Sequence, residues 1–326
     1  IPAMGGEELD THRELLDRGS QATLVAWNRG VFEDVKLSLD TGFKAVHIGL
    51  PASDLHLGKS LGRSREWLLS TATDLIKYAK DRGAYVSISA EDVGRAELAF
   101  VQEYAVAVAE AGADRLRLSD TVGILPPEQY GARVRAIGEV AEIDLQCHAH
   151  DDFGLGAANT LAGLAAGARF FHVAVNGIGE RAGMADLAHV VMAMRRIYDY
   201  DLGIDTRALR PLANLVAEAS GRPVPVNHPV TGDGIFAHES GIHVKGMLKD
   251  SRTFEPFSPD EVAGNRRYVI GKHSGRALLQ HLLAEAGVEA TTEELADTLV
   301  KVRAAAIRAG GEISVDELRA LHAGTA

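Results

Sequence analysis

The 326-residue chain is 46% hydrophobic with a formal net charge of −11, enough apolar material to bury one large core or two smaller ones. No apolar run approaches the roughly 20 residues that span a bilayer, the first residues carry no secretory block, and the acidic balance argues against a nucleic-acid partner, though not against a small anionic substrate. The single cysteine, Cys147, excludes an internal disulfide framework and fits a reducing cytoplasm.

In chain order, Glu7 to Arg18 reads as a helix closed by Gly19, and Ala22 to Trp27 as a strand. Val31 to Asp40 is a helix and Ala45 to Leu50 a strand. A long helix follows, about Ser64 to Asp81, then the strand Tyr85 to Ala90 and the helix Arg95 to Ala111. Arg115 to Ser119 is a strand, Pro127 to Val140 a helix and Asp144 to Cys147 a strand. Gly156 to Ala166 (helix), Phe170 to Val175 (strand) and Asp186 to Tyr198 (helix) complete six strand–helix units. Such alternation means a parallel sheet, either doubly wound or closed as a (β/α)8 barrel. Polar residues follow nearly every strand (Asn28, Ser53-Asp54, Glu91-Asp92, Asp120-Thr121, His148-His150, Asn176), which favours a barrel, because there every strand contributes to one mouth. Only six strands are legible, with Ile1-Pro2 as the tail of a seventh. The expectation is a (β/α)8 TIM barrel lacking its first strand over residues 1–202. Past about residue 202 the alternation stops, and 203–326 reads as a mostly helical extension with a proline-punctuated loop from Gly221 to Thr231 and helices at Arg276 to Ala286 and Thr292 to Ala309.

The chemistry centres on Cys147-His148-Ala149-His150-Asp151-Asp152-Phe153-Gly154. Side chains alternate along a strand, so His148 and His150 point the same way and can offer two imidazoles to one ion. Two ordinary histidines at a strand end are the plain alternative. The plain alternatives are a solvated charge for Arg95 at a helix start, a turn residue for Thr121, and structural roles for His238 and His273.

These residues resemble a known family. His148 to Gly154, Ala158-Asn159-Thr160-Leu161 and Asn176-Gly177-Ile178-Gly179-Glu180-Arg181-Ala182-Gly183 look like the signature of the α-isopropylmalate and homocitrate synthases, the DRE-TIM metallolyases. Ser89-Ala90-Glu91-Asp92, Ser119-Asp120-Thr121-Val122-Gly123, His238-Glu239-Ser240-Gly241-Ile242-His243 and Gly271-Lys272-His273-Ser274-Gly275 match as well. Gly203-Ile204-Asp205-Thr206-Arg207 and Gly221-Arg222-Pro223-Val224-Pro225 are most similar to the nitrogen-fixation homocitrate synthases. The resemblance implies a Claisen-type condensation of acetyl-CoA with a 2-oxo acid, 2-oxoglutarate giving homocitrate, on a divalent metal (Mg, Mn or Zn) that polarises the keto group. It implies His148 and His150 as metal ligands, Thr121 and Arg95 as substrate-carboxylate partners, and Glu91 and His243 as catalytic acid–base residues. His243 would come from the extension of a second subunit, which implies a homodimer with swapped extensions. Sister synthases with another acceptor (2-oxoisovalerate, pyruvate or a phosphonate-bearing acid) remain open, as does a non-catalytic partner subunit. The roughly 50 residues after Gly275 are too few for the leucine-binding domain of isopropylmalate synthases.

The sequence also departs from the family. It has no Asp-x-x-x-Arg-(Asp/Glu) segment, whose acidic residue would be a further metal ligand, and it does not begin with methionine, so the expectation is a copy without its first strand, first helix and most of its second strand. Met184 stands at an Asn-ligand position, Phe254 at a tyrosine, and Gln146 where homocitrate synthases often carry glutamate. A thioether and a phenyl ring cannot replace oxygen donors, so full activity is expected of a longer parent.

Overall fold

The computed structural model describes residues 1–325. The chain divides into two compact units, Ile1–Val190 and Val191–Ala326.

The first unit carries six strands: β1 Val25–Arg29, β2 Ala45–Gly49, β3 Tyr85–Glu91, β4 Arg115–Asp120, β5 Asp144–Ala149 and β6 Phe170–Phe171. All are parallel and lie in sequence order, β1-β2-β3-β4-β5-β6. The order never reverses, so there is no switch point and the doubly wound alternative falls. Ahead of or between the strands run α1 Gly6–Asp17, α2 Phe32–Thr41, α3 Arg65–Asp81, α4 Leu98–Glu110, α5 Pro127–Gly138 and α6 Gly156–Ala165, and α7 Leu187–Arg196 follows the sheet. The architecture is the α/β barrel type expected, with β1 and β6 each paired on one side only. Ile1-Pro2 does not continue the sheet: Pro2–Met4 form a 3-10 turn that packs against β1 and α2.

Strand alternation divides the sheet chemically. Val46, Ile48, Val86, Ile88, Leu116, Leu118, Leu145 and Cys147 turn outward and are buried against Leu68, Ile76, Phe100, Val101, Tyr130 and Ile137 of the helices. Each such large side chain contributes about 1.5–3 kcal/mol on burial. Close contact fixes the small residues as well: a Cβ at Gly163 on α6 would overlap Cys147 Sγ and the Tyr130 ring. The inner face is polar, with His47, Ser87, Ser89, Ser119 and Gln146 buried there.

β1 begins three residues later than Ala22, and β6 keeps only Phe170 and Phe171 of the expected strand, because only Gln146 and Cys147 of β5 pair with it. The chain then turns through Val175–Gly177 with Asn176 at φ 59°. A π-helical turn at His56–Leu61 was not foreseen.

The second unit holds α8 Leu209–Ser220, the two-residue parallel pair β7 Ala237–His238 and β8 Arg267–Tyr268, α9 Gly241–Met247, α10 Arg276–Glu285, α11 Thr292–Ala309 and α12 Val315–Ala323. Its own core contains Val244, Leu278, Leu279, Leu283, Leu295, Val302 and Leu318. The helical reading of the extension agrees with this, and β7, β8, α9 and α12 are additions to it. No helix among the described residues is long and apolar enough to cross a membrane.

Candidate active site

Register decides which side chains meet. Glu91 on β3 pairs with Ser119 on β4, and Ser119 with His148 on β5, so a carboxylate and an imidazole lie two strands apart on the inner face. His150 follows at the strand end, and Ala149 between the two histidines is fully buried on the other side. The rings of His148 and His150 have centroids 5.0 Å apart.

Tyr130, reaching in from α5, pins this strand. Its hydroxyl donates to Leu118 O at 2.7 Å and accepts from His148 N at 3.0 Å. A third imidazole, which the sequence reading passed over, joins the pair: His172 lies just past β6, its Nδ1 2.7 Å from His148 Nδ1 and its ring stacked on His148 with centroids 4.8 Å apart. Counting by two from Phe170 would have found it. At that distance one Nδ1 donates and the other accepts; with His148 Nδ1 as the donor, His148 Nε2 is unprotonated and open to another ligand.

All three imidazoles are held neutral at physiological pH. Burial pushes His172 down to about 3, with Arg117 and His150 adding to the effect. Burial, then the nearby His172 and Arg117, depresses His148 far below the usual histidine value. His150 is lowered by burial and by Arg181. A neutral imidazole is the metal-binding form. His150 Nδ1 is moreover buried with no hydrogen-bond partner of normal geometry; the Gly183 backbone lies near enough to temper the ring's pKa but does not close a bond. An orphaned nitrogen beside a second ring with a free Nε2 fits a divalent metal.

The other candidates are placed as follows. Glu91 is half-buried; burial raises its carboxyl above the usual range, and the Ser89 hydroxyl, donating at 3.3 Å, offsets part of that. It borders a cavity of 410 Å³ shared with Trp27, His56, Arg63 and Trp67. Thr121 Oγ1 accepts from Asp92 N at 2.8 Å, so its hydroxyl proton is left to donate. Arg95 is not a loose surface charge: its Nε meets both Asp92 carboxylate oxygens at 2.9 Å, and Nη2 approaches His56 Nε2 at 3.0 Å. Asp92 itself is fully buried at φ 62°, a left-handed conformation that costs a non-glycine residue energy. Arg181 of the Gly-Glu-Arg-Ala-Gly stretch grips Asp152 through two 2.7 Å bonds and donates to Thr121 O at 2.8 Å, tying the loop after β5 to the loop after β4. Met184 forms an antiparallel bridge with His150, so a thioether-bearing residue stands directly opposite this histidine. Asp186 caps α7 through Ala188 N and His189 N.

His243 lies in the second unit, on α9, exposed and stacked on Phe254 with centroids 4.0 Å apart. Phe254 therefore does sit beside the candidate acid–base residue, and its phenyl ring offers that histidine no hydrogen bond. His238 pairs with Glu255 at 3.7 Å. Glu239 Oε1 accepts from His273 N, and the two glycine motifs meet where Gly241 N donates to His273 O, both at 3.0 Å.

Residues 1–216 match the HMGL-like family, and residues 230–309 match the homocitrate synthase post-HMGL domain-like family. The chain is 61% identical to a 2-phosphonomethylmalate synthase of Streptomyces rubellomurinus, over 98% of this chain and 85% of that protein. It is 46% identical to 2-isopropylmalate synthase 2 of Caldanaerobacter subterraneus (99% and 84%) and 42% identical to homocitrate synthase 1 of a Nostoc species (98% and 84%). Among solved structures, hydroxymethylglutaryl-CoA lyase of Pseudomonas aeruginosa shares the fold, with a TM-score of 0.59 at 20% identity over 65% of this chain and 75% of that one. The chain belongs to the HMGL-like family, as an enzyme of its synthase group.

Proposed function

We propose that this protein is a cytoplasmic synthase that condenses acetyl-CoA with a 2-oxo acid. The observation carrying this reading is the pair of neutral imidazoles, His148 and His150, set two strands from a half-buried carboxyl, Glu91. A divalent metal held by the two histidines would act as a Lewis acid on the keto group of the acceptor. Thr121 donates its hydroxyl to the carboxylate next to that keto group. Arg95 adds a cation tempered by Asp92. Glu91 and His243 move the protons: one takes a proton from the acetyl methyl, whose carbon then bonds to the keto carbon, and the other delivers a proton to the former keto oxygen. Water then cleaves the thioester and the CoA thiol leaves.

Two acceptors have support. The motifs around Gly203 and Gly221 favour 2-oxoglutarate and the product homocitrate. The 61% identical relative favours a phosphonate-bearing acceptor: removing an acetyl unit from 2-phosphonomethylmalate leaves 3-phosphonopyruvate. The test is thiol release from acetyl-CoA with 2-oxoglutarate, 3-phosphonopyruvate, 2-oxoisovalerate and pyruvate in turn. Release that depends on both acceptor and metal is expected, the fastest acceptor naming the product. No release with any of them, from folded, metal-loaded protein, favours the partner-subunit reading.

We also propose a homodimer with swapped extensions, in which His243 serves the partner's site. Ile242 beside it is 79% exposed, an apolar side chain suited to burial against a second subunit. Mixing His243→Ala and His148→Ala protein should restore about a quarter of wild-type activity, since half the dimers are mixed and each has one intact site. Mixed dimers without activity would exclude the swap.

A further inference from the structure

Arg117 is a cation on the inner face of the barrel that closes no ion pair among the described residues; Glu91 is the one opposite charge that acts on it, and only through space. It lies on β4, inside the sheet, opposite Ser89 of β3 and Gln146 of β5. Its Nε donates to Gln146 Oε1 at 2.9 Å, and its terminal nitrogens make no hydrogen bond and no ion pair among the described residues. Gln146 is a neutral partner: an amide fixes the guanidinium's orientation and leaves its charge unspent, where a carboxylate would have closed an ion pair. Burial, with Arg115 beside it, pushes Arg117 down to about 10, so it stays charged at neutral pH. Its field reaches the catalytic face, depressing His47, His148 and His172. A largely desolvated guanidinium without an ion pair is costly, and the free fork of Arg117 is the shape that binds a carboxylate or phosphonate in bidentate fashion.

Along the strand, Arg117 precedes Ser119 by two residues, a rise of about 6–7 Å, and Ser119 is the register partner of His148. A short 2-oxo acid with its keto end at the histidines would thus carry its far end toward Arg117. We propose that Arg117, oriented by Gln146, is the specificity-determining residue that binds a second anionic group on the acceptor. The substrate class is then a 2-oxo acid bearing a distal carboxylate or phosphonate, rather than a branched aliphatic one. Arg95 and Arg181 already hold ion pairs, with Asp92 and Asp152. This inference rests on the condensation proposed above.

The test uses the full chain with manganese and measures Kd by calorimetry for 2-oxoglutarate, 3-phosphonopyruvate and 2-oxoisovalerate. Wild type is expected to bind a diacid more tightly than 2-oxoisovalerate, and comparing the two diacids tells carboxylate from phosphonate. Arg117→Gln should weaken the preferred diacid by about 10- to 150-fold, the range for a lost charged hydrogen-bond set, and leave 2-oxoisovalerate within about threefold. Gln146→Glu, which keeps Arg117 but neutralises it, should produce the same selective loss, and it decides the matter if Arg117→Gln does not fold. Unchanged diacid binding in the variants overturns the proposal, as does equal loss for all acceptors or a wild-type preference for 2-oxoisovalerate. If wild type binds no 2-oxo acid at all, the condensation reading falls first and the role of Arg117 with it.

Discussion

Protein carrying both His148→Ala and His150→Ala is expected to emerge from manganese loading and dialysis with no bound metal by elemental analysis, where wild type retains it. The rings sit on the polar inner face while the apolar packing of β5 uses Leu145, Cys147 and Ala149, so the double variant should keep its helical circular dichroism. Turnover should fall by 10³ or more, because Lewis-acid stabilisation of the developing charge supplies several kcal/mol and each 1.36 kcal/mol is tenfold. Removing only His172 should weaken metal retention about 10- to 100-fold, as expected for a partner that fixes a ligand's tautomer. Metal content unchanged in the double variant would show that the histidines are structural.

The second large effect is at Glu91. Glu91→Gln should lower kcat by about 10²–10⁴, the usual contribution of a positioned proton-transfer group. Stability should move the other way. Burial raises the Glu91 carboxyl in the folded state, so between its unfolded and folded pKa the native protein holds more proton than the unfolded chain. Stability therefore falls as pH rises through that window, and the cost is fully present above the raised value. Gln cannot ionise, so the variant should melt at a higher temperature than wild type near pH 7 and lose that advantage in acid below the ordinary carboxylate range. As a base, Glu91 must be ionised, and wild-type activity should climb with pH across the same window. A variant that keeps its activity, or that melts lower at neutral pH, would remove Glu91 from the mechanism.

Much of the fold was legible because outward-facing strand residues such as Val46, Ile48, Leu116 and Leu118 recur at every second position in segments closed by turn residues. β6 was overextended, because an apolar run shows which residues favour a strand, while only pairing with β5 fixes how many form one. α9 carries glycine at its first position and again at Gly246, which masks the helical pattern. α12 opens with a capping box, Ser314 with Glu317, a readable signal in a segment given no element of its own. At the site, His148 and His150 declared themselves by spacing. Arg117 could not: an arginine in mid-strand reads as an outward, solvated side chain until the sheet is known to turn its polar face inward.

That inward polarity has an evolutionary consequence. In an ordinary barrel of this type the lumen is filled with bulky branched side chains that help hold the strands together, so changing them risks the fold. Here the outer seam between sheet and helices supplies the cohesion, and lumen positions such as Ser87, Ser89, Arg117 and Gln146 are relieved of it. A lineage can then exchange lumen residues at little thermodynamic risk and arrive at a new acceptor within an unchanged shell. Relatives named for phosphonomethylmalate, isopropylmalate and homocitrate synthesis are what such a decoupled scaffold would be expected to leave behind.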